Sequence, residues 1–391
     1  MSRGSTWSQI AERVIHDAWS RLQRTATLLE SPSAVSAEHR VLIEHGEYEV
    51  PLDDENEFHS VDLPPSVTRW GGGTWHVLRN AYVVGDQGHL FNSRGECVRI
   101  CPSMRRLDPA KIRRPMPFLA QHVYGPVFHF TGRDHENHGH FVMQYLPRLM
   151  AAKAALEQQR IKPLILVATG HQTWQARYLA ALGFEADHVL PCRKGTMSIE
   201  ELHYVPMLWD EGPLGPPHLY QQVQEALRRY AQVDENAPLN GRPIFVTRED
   251  APTRRLTNER EIIEICRRHL GEIQVMFLPK VPFVEQIRRF ATSPLIIGPQ
   301  GQGLTNIGFS RGARMLILEA GQSPFDRGWA CDYRDFAHMT GNSALRMFSG
   351  LPWPNDGDWP FPPEEFEKQL KRVLALGLQH HREPVVKVSA R

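Results

Sequence analysis

The residues with the clearest chemical intent lie in "LIIGPQGQGLTNIGF", residues 295–309. The β-like run Leu295-Ile296-Ile297 stops at Gly298, passes through Gly301 and Gly303, and reaches Thr305 and Asn306, where a helix can begin. Strand, glycine loop and helix start is how a chain turns backbone N–H groups toward a phosphate. Alone, the glycines are equally a chain turn. They are not a dinucleotide fingerprint either, because no βαβ unit with an acidic residue about 20 positions on follows them. Two other strand ends add polar groups. "FVTRED" ends in Arg248, a fork of donors suited to a diphosphate, and "MLILEAG" ends in Glu319, a carboxylate able to accept both hydroxyls of a ribose. Ligands of α/β sheets sit beyond the carboxyl ends of the strands. Arginine and glutamate are also ordinary surface residues there, so both readings stand.

The second cluster is "RDHENHGHF", with His135, His138 and His140. Neutral imidazoles ligate zinc, but HxxHxH is not a strong metal spacing, and in a helix His138 and His140 point different ways. The reading favoured is a loop whose His140 faces a cleft while the other two are solvated. A third feature is the basic run "SMRRLDPAKIRRPM", with Arg105, Arg106, Lys111, Arg113 and Arg114. It reads as a solvated surface or as a landing patch for an anionic acceptor. Trp70, Trp75, Trp353 and Trp359 flank Gly- or Pro-rich loops, where indoles more often pack the loop than stack on a sugar.

These residues need elements to hold them. Apolar residues at steps of three and four predict an amphipathic helix over 6–29, and "HVLRNAYVVGDQGHLFNSRG" predicts a hairpin or meander. A helix over 139–159 contains Pro147, which should bend it. "PLILVA" reads as a strand buried on both faces, followed by a helix ending at Gly183. The polar stretch "DENAPLNGRP" reads as a domain linker. Beyond it strands and helices alternate: "PIFVTRE", "NEREIIEICRRHL", "IQVMFLP", "FVEQIRRFATS", "PLIIG" and "RMLILEA", then a loop at 351–363 and a closing helix. The expected divisions are an N-terminal helical extension over 1–40, an α/β domain over 41–235, a second over 240–350, and the closing segment over 351–391.

Composition narrows the classes. Among 391 residues, 45 Lys+Arg against 44 Asp+Glu give a net charge of +1, which argues for no nucleic-acid partner. Cys97, Cys101, Cys192, Cys266 and Cys331 are odd in number and lack a CxxC pair, as suits free thiols in a reducing compartment. With no signal peptide expected at the start and no long apolar window, the expectation is a cytoplasmic protein with no transmembrane segment, leaving room for peripheral membrane contact.

"FVTREDAPTRRLTNEREI", "FVEQIRRFATSPLIIGPQGQGLTNIGF" and "RMLILEA" together resemble the carboxy-terminal half of glycosyltransferase family 61. "NHGHFVMQYLPRLM" resembles that family's amino-terminal signature. The resemblance implies a GT-B architecture, two Rossmann-like domains facing across a cleft, and an inverting sugar transfer with no required metal or cofactor. The partners implied are a nucleotide-sugar donor, UDP-sugar in first place, and a glycan or lipid-linked saccharide acceptor of polysaccharide biosynthesis. It places Arg248 and Asn258 at the donor phosphates and loop geometry, and Gln300, Gly301, Gly303, Leu304, Thr305 and Asn306 in the phosphate-facing loop. Glu319 falls on the ribose, and Asn137 and Arg148 on the acceptor.

The chain departs from the pattern at Gln300, where the family has His, at Gln302, where it has Ala, and at Gln144, where it has an Asp suited to act as general base. Glutamine cannot take a proton. His140, with an ordinary pKa of ~6.5, and Glu136 beside it are the candidate catalytic residues instead. Two other readings remain: a catalytically silent nucleotide-sugar-binding partner, and a metal-dependent hydrolase using His135, His138 and His140.

Overall fold

The computed structural model describes residues 28–29, 38–44, 46–50, 58–59, 66–70, 73–98, 112–132, 134–168, 173–208, 214–321, 330–352, 354, 357–377 and 385–388. They divide into two units, one drawn from 1–44 and 71–209, the other from 45–70 and 210–391.

The first unit is built on a mixed sheet. Its antiparallel part is the expected meander: Gly73–Val84 turns back into His89–Phe91, which pairs with Cys97–Val98. Thr196–Tyr204 joins this meander, antiparallel to Gly73–Val84, to a parallel part formed by Gln121–His129, Leu164–Val167 and Val189–Pro191. The predicted helix over 139–159 is present, and Pro147 acts on it as a π turn. Residues Phe141–Tyr145 wind as π-helix, with the Leu146 N–H donating to the Phe141 carbonyl five residues back, before Leu146–Gln158 resumes as α-helix. Proline has no N–H for the usual four-residue bond, so widening one turn absorbs the defect. The helix expected over 6–29 lies outside the described residues except Leu28–Leu29, which form a strand parallel to Cys97–Val98.

The second unit holds a parallel sheet whose strands are here β1 (Ile244–Val246), β2 (Gln274–Met276), β3 (Leu295–Pro299), β4 (Arg314–Glu319) and β5 (Ser343–Phe348). Their spatial order is β2-β1-β3-β4-β5, every neighbouring pair parallel. The helices of this unit are α1 (Pro217–Tyr230), α2 (Glu259–Leu270), α3 (Phe283–Thr292), α4 (Ala330–Met339) and α5 (Pro363–Leu376). Helices α2 and α5 pack together over a core that includes Phe245, Ile262, Leu316, Phe361, Phe366 and Leu370. Helices α1, α3 and α4 pack with a 3₁₀ helix, Gln302–Phe309. Every residue of β3 and β4 is buried, as continuous apolar strands of a covered parallel sheet must be. Helix α2 carries Glu259 and Glu261 in its first turn and Arg267, Arg268 and His269 in its last, each set matched to the helix dipole.

The unit boundaries differ from those drawn on the sequence. Helix α1 lies before the expected linker yet belongs to the second unit: Gln224 donates to the Ser310 and Thr340 carbonyls and Arg228 to that of Phe309. Residues 45–70 also fall in the second unit, where Gly46–Val50 pairs antiparallel with Ser66–Trp70 and Val385–Val388. Cys97, Cys192 and Cys266 are free and buried, and burial pushes each thiol up to about 12, so they act as apolar packing. Among the described residues no helix is long and apolar enough to cross a membrane.

Candidate functional site

Strand order decides where a ligand can sit. In the sequence β2-β1-β3-β4-β5, the chain leaves β1 toward one edge and returns on the other side of it, so helices diverge to opposite faces and a crevice opens at the carboxyl ends of β1 and β3. Arg248 lies just past the end of β1, and Gly301 just past the end of β3. The two touch. A Cβ on Gly301 would fall inside the Arg248 guanidinium, 2.7 Å from its Cζ. The backbone at Gly301 is extended, with φ 171°, which any residue adopts, so what a side chain there would displace is the movable end of Arg248. The same pressure acts on its neighbours. A Cβ on Gly298 would lie 2.9 Å from the Val246 carbonyl, and one on Gly303 2.9 Å from Leu278 and 3.0 Å from Val246. All three glycines answer to the close approach of other strand ends rather than to a tight turn.

Arg248 is half-buried. Its Nη2 donates to the Thr253 carbonyl at 3.2 Å, and its buried Nε makes no hydrogen bond. Burial, and then the neighbouring Arg254, lower the guanidinium from its ordinary value, while Tyr333, Asp250 and Glu259 act the other way. Glu259, at the start of α2, accepts the Thr247 hydroxyl and, at 3.3 Å, the Arg248 N–H, which fixes the backbone from which Arg248 projects. Burial raises that carboxyl, and the two hydrogen bonds oppose the rise. The glycine loop runs into the 3₁₀ helix, where the Leu304 N–H donates to the Gly301 carbonyl at 3.0 Å. The first N–H groups of a helix lack an acceptor within it, and this is the end an anion seeks.

The remaining loop residues do not face outward. Leu304, Thr305 and Asn306 are buried. The Thr305 hydroxyl donates to the Gln302 carbonyl at 2.7 Å and the Asn306 amide to Gln286 at 2.9 Å, so both hold the 3₁₀ helix in place rather than reach a phosphate. Glu319, at the end of β4, is buried and lines a narrow recess, with room for about one water, together with Gln300, Arg254 and Trp359. Asn258 hydrogen-bonds the backbone of Phe361.

In the first unit the candidate side chains are held by near neighbours. Asn137 caps the helix by accepting the His140 N–H at 3.2 Å, and Glu136 is exposed. His140 Nδ1 lies 3.0 Å from Gln144 Oε1; an amide oxygen only accepts, so the ring donates through Nδ1 and its basic lone pair is on Nε2. His135 is buried against Gln175, and His138 meets the Tyr178 hydroxyl at 3.2 Å, beside Trp174. The three histidines therefore diverge to three partners, and among the described residues no three metal-ligating side chains converge. Arg148 is fully buried, placed on the rings of Phe128, Phe130 and Tyr145 and donating to the His129 carbonyl, so it braces the core and does not face an acceptor. Of the basic run, Arg105, Arg106 and Lys111 lie outside the described residues, Arg113 is exposed and Arg114 half-buried. Trp70 and Trp75 are buried packing residues, and Trp353 lies outside the described residues.

Residues 138–316 match the family model described as Glycosyltransferase 61. The match covers a little under half of the chain and makes this stretch similar to glycosyltransferase family 61. The chain is accordingly a glycosyltransferase, with a sugar donor and an acceptor as its partners. No curated protein matches the sequence. The family 61 span takes in His140 and Arg148 from the first unit and Arg248 with the glycine loop from the second, and it ends before Glu319 and Trp359. Arg254 and Glu259 were not singled out on the sequence, where the doubled arginine in "TRRL" was the only signal for the first. Trp359, expected to pack its loop, is buried.

Proposed function

We propose that the chain is an inverting, metal-independent glycosyltransferase moving a sugar from a nucleoside diphosphate donor, UDP-sugar first, to a hydroxyl of a glycan or lipid-linked saccharide. The two units would be the halves of a GT-B fold, working at the cytoplasmic side of the membrane. The observation that carries this reading is the Arg248–Gly301 contact at the point where strand order reverses. There the donor diphosphate meets a guanidinium and a helix start, and both are held before the ligand arrives. As the acceptor oxygen bonds to the anomeric carbon and the bond to the diphosphate breaks, negative charge grows on the leaving group, and these preset donors stabilise it. His140 Nε2 takes the acceptor's proton while the Gln144 oxygen holds the Nδ1–H tautomer, so Gln144 orients the base without being one. The separate partners of His135, His138 and His140 leave the hydrolase reading without support.

Calorimetric titration of UDP and GDP into the protein without added metal, repeated on Arg248→Ala, tests the donor half. Saturable binding of one nucleotide, weakened roughly 10- to 100-fold by loss of a charged hydrogen-bond donor, is expected. No binding of either nucleotide would remove the proposal. Donor turnover without acceptor, abolished in His140→Ala, would separate an active enzyme from a silent binding partner.

A further inference from the structure

Three neighbouring strands of the first unit, Gly73–Val84, Thr196–Tyr204 and Gln121–His129, bury one face and leave part of the other in water. Ala81, Val83, Met197 and Ile199 belong to the core, with Val123 packed against it. The residues between them, which a strand turns the other way, run in two rows across the sheet. Tyr82, Ser198 and His122 stand side by side in register, Tyr82 and Ser198 half-buried and His122 exposed. One step along come Asn80, Glu200 and Tyr124, all exposed. Tyr124 is 78% exposed, more than any other large hydrophobic side chain among the described residues. Irregular backbone puts it there. The pairing of the last two strands slips between Ile199 and Glu201, so that Tyr124 and Gly125 together face Glu200, and Gly125 takes φ 82°, a conformation glycine enters freely. The Gly125 N–H donates to the Glu200 carboxylate at 3.1 Å. On the other flank of Glu200, Asn80 takes φ 53°. Bulges re-aim side chains, and here the ring of Tyr124 comes nearly parallel to that of His122, 22° apart with centroids 6.4 Å from each other.

Exposed rings beside an amide and a carboxylate suit a sugar. The apolar C–H face of a pyranose lies on the electron-rich face of an aromatic ring, while the hydroxyls at its rim donate to a carboxylate and exchange hydrogen bonds with an amide. Charge excludes other surfaces. Arg79 and Glu201, next along the same face, are paired with each other, which leaves the carboxylate of Glu200 to repel nucleic acid or anionic lipid. We infer that Tyr124, His122, Glu200 and Asn80 form a second saccharide site, which holds a remote stretch of a glycan chain while transfer takes place elsewhere. Five residues of strand, about 16 Å, separate Tyr124 from His129, the last residue before the turn that leads to His140. A patch so far from the reacting hydroxyl fits an oligosaccharide or polysaccharide of several units and offers nothing to a single sugar already at the reaction centre. The inference rests on the sugar acceptor of the proposed function and not on its nucleotide donor.

The test is affinity electrophoresis of the full chain, Tyr124→Ala and Tyr124→Phe on native gels cast with dextran, xylan, galactomannan or a β-glucan. Thermal melting by circular dichroism accompanies it, and an exposed ring predicts that both variants melt like the parent. At least one polysaccharide should slow the parent, with affinity about 10-fold lower in Tyr124→Ala and largely kept in Tyr124→Phe. Retardation by none of the four would overturn the inference, as would equal retardation of the parent and Tyr124→Ala. Sedimentation with vesicles of phosphatidylcholine and phosphatidylglycerol tests the other surface. Vesicle binding that Tyr124→Ala abolishes, without retardation by any polysaccharide, would make the patch a membrane contact and overturn the inference too. UDP is titrated into the same samples by calorimetry. A parent that binds UDP and no polysaccharide loses this inference and keeps the donor reading; one slowed through Tyr124 that binds no UDP loses the donor reading alone.

Discussion

The carboxyl edge of the parallel sheet and the histidine-rich helix of the first unit are both dense in polar residues, and they use them in opposite ways. In the helix, polar groups turn to their own neighbours: Asn137 caps a backbone N–H, His135 meets Gln175, and Arg148 sinks among Phe128, Phe130 and Tyr145. At the sheet edge, Arg248, Gln300 and Glu319 stand at strand ends where the order of strands opens a crevice. Residue type alone does not separate an arginine that holds a core from one placed at a strand end. The difference is whether the backbone around it is closed by packing or left at an open strand end.

The largest expected effect lies on the closed side. Arg148→Ala removes a fully buried side chain packed on three rings, and about 3 kcal/mol of stability should go with it, measured by urea unfolding. Unchanged stability together with lost sugar transfer would place Arg148 at a ligand and erase the contrast. On the open side, Gly301→Ala should displace Arg248 from the loop and weaken UDP binding by about 10-fold or more while the fold keeps most of its stability. Wild-type UDP affinity in that variant would show that the guanidinium is not held there for a ligand.

The smallest effect calibrates a polar contact that is neither core nor site. Glu367 on α5 takes hydrogen bonds from His269 and Lys371, which pull its carboxyl down to about 2. A carboxylate lowered in the folded state stabilises above its ordinary value, and this contribution is lost as pH falls through the folded value. Glu367→Gln should therefore melt slightly below the parent at pH 6, with the gap closing toward pH 2. A constant gap across that range would assign the loss to packing.

Much of the second unit was legible in local pattern. β1 through β4, α2, α3 and α5 each fall on a stretch whose apolar spacing names it. β5 and α4 were missed because "SALRMF" and "ACDYRDFAHM" show no clear period before the sheet surrounds them. In the loop, glycine spacing marked the turn out of β3 but did not reveal that Thr305 bonds the Gln302 carbonyl and Asn306 the Gln286 side chain. Residues 302–309 wind as a 3₁₀ helix whose polar side chains satisfy neighbouring groups in a buried setting. The partner of Asn258 was not legible either, because Phe361 is 103 residues away.

What the sequence determined by itself is what depends on near neighbours: the alternation of strands and helices, the glycine loop, and arginine and glutamate at strand ends. Backbone sterics and hydrophobic period act over a few residues, so they can be read without the fold. The tertiary structure alone decided that β1 lies beside β3, which sets Arg248 against Gly301, that Arg148 is core, and that the segment around Trp359 walls the recess. Each of these depends on which distant segments pair and what they bury. Pairing between strands is a contest among all the segments of a chain, and no single stretch records its outcome.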